Sequence, residues 1–394
     1  MKKFINLFLA VILMVILLVC TLLTLSVYLK WPMMVSGYSS LFATQFNSRF
    51  ILLALVLCIT AFLFFKKQDT GRKIWKFNLI LGILFLAGQL IFMLIMLRTA
   101  SKYDAEVSLI PSLKGLEKPV KPTETHHYLT IYGEKQLFDV YRPKNPSGKP
   151  TIPVVLVHGG AFIEGKRDQL GYAANWFTQR GYTSFGIEYP LAKKDRQTYE
   201  SAVNSIVTCM SYIRKHAQEF NIDPSEMILV GGSAGGSLVM QADLGLRDGF
   251  AHSYDGSQVA PPAAVIALYP PVSLSDLYQK LREGKTVDLY DPMNKYLGGS
   301  PVQFPARFKQ LNLIDHLAGG ISPTLILTGE IDHVVNVEAI RDFVNKSKEM
   351  KLPVSYMEVP YGEHVYDGNP NSIAGQMTWA EIRNFLERNR LTAE

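Results

Sequence analysis

The sequence predicts a mostly parallel, doubly wound α/β sheet preceded by an all-α transmembrane segment. Three observations carry this. Three long apolar runs fall within residues 1–98, and short apolar strands alternate with helical stretches after residue 127. Between them in kind is Gly231-Gly-Ser-Ala-Gly235, a tight turn joining the apolar run Met227–Val230 to a helical stretch, with one serine at its apex. Strands alternating with helices fold into a largely parallel sheet with helices on both faces.

The N-terminal segment comes first. Phe4 to Tyr28 is dominated by Leu, Val, Ile and Phe, with Lys2 and Lys3 before it and Lys30 after it. It exceeds the roughly 20 residues that cross a hydrocarbon core about 30 Å thick. A cleaved signal peptide has a shorter apolar core ending at a small-x-small site. Leu17-Leu18-Val19 before Cys20 offers no such site, so an uncleaved span over about 4–28 is expected. A second span is expected at about 46–65, where snorkelling of Arg49 extends the apolar run Phe50–Phe65. A third covers Phe77 to Leu97. Lys66 to Lys76 carries five positive charges in eleven residues. Cytoplasmic loops collect Lys and Arg, which places the N-terminus and the 66–76 loop inside and the 30–49 loop outside. Everything after Arg98 is then extracytoplasmic, in a cell membrane. The apolar runs Phe4–Tyr28, Phe50–Phe65 and Phe77–Leu97 hold no Asp, Glu, Lys, Arg or His, so residues 1–98 read as a membrane anchor set in the lipid bilayer and not as a transport pathway. Residues 99–126 read as a linker, with Pro111, Pro119 and Pro122 among polar residues.

Charge follows the same division. Residues 1–98 hold ten Lys/Arg and one acidic residue, while residues 99–394 carry a net charge of −3. The overall +6 therefore belongs to the anchor and is no argument for nucleic-acid binding. Cys20, Cys58 and Cys209 are scattered, without the spacing of a disulfide framework or a thiolate metal site.

In the catalytic domain expected over 127–394, His127–Tyr132 and Leu137–Tyr141 alternate like paired edge strands around a Gly133-Glu134 turn. Pro153–Val157 is wholly apolar, the mark of a strand buried on both faces. A helix near Leu170–Arg180, a strand at Thr183–Glu188 and an amphipathic helix within Thr198–Phe220 follow. Further strands are expected at Ile228–Val230, Ala263–Leu268, Thr324–Leu327 and Val354–Val359, with helices near Val337–Met350 and Ile373–Asn389. Residues 274–318 break this rhythm between two strands. They are either a lid over the strand ends, where ligands bind in open sheets, or a surface insertion.

The turn at Ser233 could carry a nucleophile or cradle a phosphate. No Gly-Lys-Ser/Thr follows it, which removes the phosphate reading. A serine hydroxyl needs a base to take its proton and an acid to orient that base. In this topology both follow later strands, in the order serine, acid, histidine. The turn after Thr324–Leu327 offers Glu330 and Asp332, and Asp332, later in the turn, is preferred. The turn after Val354–Val359 offers His364, the one histidine in that position. Oxyanion donors are expected from the amide of Ala234, directly after the serine, and from Gly160 and Ala161 in His158-Gly-Gly-Ala-Phe162. Gly159 shapes that turn.

At these residues the chain resembles the hormone-sensitive-lipase-like carboxylesterases of the α/β-hydrolase superfamily. The motifs are His158-Gly-Gly-Ala-Phe, Gly231-Gly-Ser-Ala-Gly, Gly329-Glu-Ile-Asp and Gly362-Glu-His, with Gly186-Ile-Glu-Tyr-Pro-Leu-Ala192 similar to the family's Asp-Tyr-Arg-Leu-Ala stretch. The resemblance covers about residues 127–390. It implies an α/β-hydrolase fold and a carboxylesterase acting on small acyl esters, with Ser233, Asp332 and His364 as triad and with no cofactor or metal. The family's third glycine is Ala161 here, and its arginine is Pro190. A serine peptidase or a membrane-associated acyltransferase would use the same triad, whereas a non-catalytic binding module would be expected to lack one member.

Overall fold

The computed structural model describes residues 2–31, 33–67, 71–114, 120–144 and 148–393. Residues 68–70 of the expected charged loop and 115–119 of the expected linker lie outside the described residues. The chain divides into two compact units. One comprises Met1–Glu117, Gly329–Asp332 and Glu358–Glu381, and the other Lys118–Thr328, His333–Met357 and Ile382–Glu394.

The first unit is built on α1 (Lys2–Leu29), α2 (Met33–Lys67) and α3 (Arg72–Lys102), each long and apolar enough to cross a membrane. The short α4 (Leu109–Ser112) lies in the stretch expected to be linker. The 33–49 stretch, expected to be a loop, is instead the first half of α2, which bends at Phe46 (φ −133°, ψ 16°). Its buried residues explain the difference: Ser36, Gly37, Ser40, Ala43, Thr44, Asn47 and Ser48 recur at helical spacing. A face of small and weakly polar side chains lets helices approach closely, and an apolarity count does not register it. The polar interruptions of the spans bond between helices. Asn47 donates to the side-chain oxygen of Gln89 (2.8 Å), Gln89 donates to Thr24 Oγ1 (2.9 Å), and Asn78 donates to the Ala10 carbonyl (2.9 Å). In hydrocarbon an unpaired amide is costly, so these pairs fix which helix faces meet.

The second unit holds most of an eight-stranded sheet ordered β1-β2-β4-β3-β5-β6-β7-β8. Its strands are β1 (Glu124–Ile131), β2 (Glu134–Tyr141), β3 (Pro153–Val157), β4 (Thr183–Ile187), β5 (Ile228–Gly232), β6 (Ala264–Leu268), β7 (Thr324–Gly329) and β8 (Val354–Val359). The β1–β2 and β2–β4 pairs are antiparallel, and β3–β4, β3–β5, β5–β6 and β6–β7 are parallel. Every residue of β3, β4, β5, β6 and β7 is buried, as expected of strands covered on both faces. The covering helices are α5 (Gly171–Thr178), α6 (Ser201–Lys215), α7 (Ala217–Phe220), α8 (Ala234–Asp248), α9 (Leu274–Arg282), α10 (Tyr290–Leu297), α11 (Pro305–Gln310), α12 (Val337–Glu349) and α13 (Ile373–Arg388). Residues 274–318, irregular in the sequence, therefore carry three short α-helices and a 3₁₀ turn at Leu313–His316.

Candidate active site

The residues singled out from the sequence fall into two groups, one in each unit. The first is the serine turn. β5 ends at Gly232, α8 begins at Ala234, and Ser233 between them adopts φ 56° and ψ −123°. A non-glycine residue held in that region is strained, and the surroundings must over-determine it. They do: the Ser233 amide donates to Leu268 on β6 (2.9 Å), and the Ser233 carbonyl accepts the first helical bond, from Ser237 (3.1 Å). The flanking glycines are there because nothing larger fits. A Cβ on Gly231 would strike the Gly235 carbonyl, and one on Gly235 would strike the carbonyls of Val157 and His158. The amides of Ala234, Gly235 and Gly236 precede the first helical bond. They have no partner within the helix and sit at the positive end of its dipole.

The loop after β3 lies against this turn. A Cβ on Gly159 would stand 2.9 Å from the Gly232 carbonyl and 3.0 Å from Ser233 Cβ, so only glycine permits the approach. Gly160, Ala161 and Phe162 all have positive φ (114°, 49° and 67°). The Gly160 carbonyl turns away and accepts from Ile163 and Glu164, both at 3.0 Å. His158 is a structural residue. Its ring is buried and stacks on Tyr189 at 4.4 Å, and its Nδ1–H donates to the Gly159 carbonyl (2.7 Å). Burial pulls its pKa down to about 4, so the ring is neutral. Phe162 in turn stacks on Tyr296 of α10, with centroids 3.8 Å apart. The 274–318 excursion thus reaches the residue next to Ala161. No motif in the sequence indicated this contact, because Tyr296 is one aromatic among many and its partner lies 134 positions away.

The second group is the pair of loops after β7 and β8. Glu330 donates its amide to the Val359 carbonyl and Ile331 to the Gly362 carbonyl, both at 3.0 Å. A Cβ on Gly329 would strike the Gly362 carbonyl, so the two loops touch backbone to backbone. Within this clasp His364 Nδ1 donates to Asp332 Oδ2 at 2.7 Å, with the Asp332 side chain fully buried and that of His364 nearly so. Burial pushes the His364 pKa down, but the Asp332 charge and hydrogen bond, aided by Glu363 and Asp367, more than offset it. The net shift is upward. Glu330, the alternative acid, is committed elsewhere: Oε1 pairs with Lys30 Nζ (2.7 Å), and Oε2 accepts the Tyr361 amide (2.9 Å). Among the described residues, no group of three or more His, Cys, Asp or Glu could hold a metal ion.

The model of the BD-FAE family matches residues 138–346, which include Ser233 and Asp332 and stop short of His364. Esterase LipC of Mycobacterium tuberculosis is 27% identical over 248 residues, and the probable carboxylic ester hydrolase LipM of the same organism 26% over 252. These alignments cover 61% and 60% of this chain, which spans 60% and 54% of those relatives' own length. Among solved structures, esterase 2 of Thermogutta terrifontis with propionate bound superimposes with a TM-score of 0.57. It is 22% identical, over 69% of this chain and 96% of that one.

Proposed function

The chain belongs to the BD-FAE family, and from that premise we propose that it is a membrane-anchored serine carboxylesterase cleaving small or short-chain acyl esters. Its fold is that of the α/β-hydrolases, as the likeness to the Thermogutta esterase indicates. The observation that carries the reading is the strained Ser233 turn with a glycine loop packed against it. A hydroxyl held on such a turn is exposed to an incoming carbonyl, and loop amides beside it suit a developing oxyanion.

In the proposed reaction Ser233 attacks the ester carbonyl while His364 accepts its proton through Nε2. The bond from Nδ1 to Asp332 fixes that tautomer and stabilises the imidazolium. The amides of Ala234, Gly160 and Ala161 hold the tetrahedral oxyanion. His364 then protonates the leaving alcohol, and water releases the acyl group by the same steps in reverse. No cofactor enters. Two features of the sheet support the assignment of Ser233 and Asp332: β5, β6 and β7 run parallel, and Ser233 and Asp332 each follow the C-terminal end of one of them. The acid–base pair is already formed at 2.7 Å. We further propose that residues 1–98 anchor the chain in the cell membrane with Lys2 and Lys3 inside, that 99–126 link it to an extracytoplasmic catalytic domain, and that 274–318 serve as a lid.

Purified full-length protein is expected to hydrolyse p-nitrophenyl acetate or butyrate and to label with a fluorophosphonate, and Ser233→Ala is expected to do neither. Hydrolysis retained in Ser233→Ala would overturn the assignment, and failure of the wild type to label would favour a binding module.

A further inference from the structure

On the reading above, the loop carrying the general base is built into the helical unit by contacts that the chemistry does not use. Gln45, on α2, donates its side-chain amide to the Val365 carbonyl (3.1 Å), one residue from His364. The Gln45 carbonyl accepts from Asn369 Nδ2 (2.8 Å), so this one residue grips the loop at two points. At the first of those points Val365 has φ 61°. For a β-branched residue that is a genuine outlier, and it persists only where neighbours impose it. A second grip lies on the acid side. Lys30, just after α1, pairs with Glu330 Oε1, while Glu330 Oε2 holds the Tyr361 amide. The Tyr361 ring packs edge-on against Tyr28 of α1 at 5.5 Å and near Phe92 of α3 at 6.1 Å, and Lys30 Nζ sits over its face at 5.5 Å. Glu330 is two residues from Asp332 and Tyr361 three from His364.

We propose that Gln45 and Lys30 are positioning residues for the Asp332–His364 pair, which makes the apolar helices part of the catalytic scaffold as well as an anchor. The inference rests on His364 being the general base of the proposed reaction. The Lys30–Glu330 pair is partly exposed at both ends, 43% and 29%, so it contributes little to stability, and its removal tests geometry and not folding. Gln45 bonds a carbonyl beside the base, where a displacement of about 1 Å costs on the order of 100-fold in rate.

The test uses the full chain in phospholipid nanodiscs with p-nitrophenyl butyrate. Gln45→Met removes the amide donor at constant length, and Lys30→Ala removes the cation. Each is expected to lower kcat by about 10–100-fold with KM unchanged, because the substrate still binds while the base is misplaced. The charge swap K30E/E330K is expected to recover much of what Lys30→Ala loses. Wild-type kcat in both single variants, or a rise in KM alone, would overturn the proposal. Hydrogen exchange reads the same contact without turnover: residues 361–369 are expected to exchange faster in Gln45→Met, and unchanged protection there would overturn it too. A wild type that hydrolyses no ester yet shows this exchange difference would count against the carboxylesterase reading alone.

Discussion

Ser233, Ala161 and Val365 share a backbone region that L-residues rarely occupy, and each stands at or beside a residue assigned to the chemistry. Left-handed backbone costs a non-glycine residue roughly 1–2 kcal/mol. At Ala161, where the resembled motif has a glycine, that cost is open to measurement. Ala161→Gly is expected to raise thermal stability or leave it unchanged, whereas Ala→Gly at an unstrained site lowers it by about 0.5–1 kcal/mol. The acid–base pair gives a pH signature. In the proposed reaction attack needs neutral His364, and its raised pKa places the expected acid limb of kcat/KM above the ordinary imidazole value of about 6.5. Activity is then full above that limb and lost as pH falls through it. Asp332→Asn removes the raising charge and leaves the burial, so the limb is expected to move to lower pH while kcat drops by about 10⁴-fold. The residue types and their order were legible in the sequence because a turn after a buried strand leaves few positions for a nucleophile, acid or base. The preference for Asp332 over Glu330 came from its later place in the turn; the pairing of Glu330 with Lys30 was not legible, because Lys30 lies 300 residues earlier.

At the scale of elements, α2 and the 274–318 excursion are where sequence and structure differ most. The sequence of α2 was legible only in its second half, where Phe50–Phe65 is continuously apolar. Its first half is held by a face of Ser, Gly, Ala, Thr and Asn, whose fitness for packing depends on a neighbour that periodicity cannot supply. The strands needed no such help, because β3, β5 and β6 carry no polar side chain and β4 and β7 have apolar centres, each ending at or followed closely by a glycine or proline. The excursion was recognised by its broken rhythm, but its helices are short and its key contact is tertiary. The fully buried Tyr296 backs Phe162, so truncating it leaves a cavity beside the proposed oxyanion loop. Tyr296→Ala is expected to cost about 3–5 kcal/mol in stability. A panel of p-nitrophenyl esters from acetate to octanoate is expected to show its preference shifted toward longer chains. An unchanged preference would place the excursion outside the acyl pocket.

The whole molecule departs from a simple anchor-linker-enzyme order. Residues 329–332 and 358–381 belong to the same compact unit as the apolar helices. A chain cut back to residues 120–394 is therefore expected to lose most of its turnover, because Lys30, Gln45, Tyr28 and Phe92 leave with the helices. Comparing its kcat with that of the full chain in nanodiscs checks this. The proposed orientation has its own test: intact cells are expected to hydrolyse an ester that cannot cross the membrane, and hydrolysis only after lysis would reverse the topology. The grip on the His364 loop could not be read along the chain. Hydrophobic runs disclose that helices are long and apolar enough to cross a membrane, but not that Gln45 on one of them holds a loop more than 300 residues downstream.

That separation also sets an order of assembly. The helices are synthesised first, and on the proposed anchoring inserted first, so that the clasp carrying His364 emerges late, to be gripped by Lys30 and Gln45 already in place. Closing contacts 300 to 324 residues apart is a late event, paid for in chain entropy only once the intervening sheet has brought the ends near. On the proposed function, hydrolytic competence would then arrive as the last stage of biogenesis. A nascent or mislocalised copy that never meets its membrane would stay inert toward the esters of the compartment where it was made.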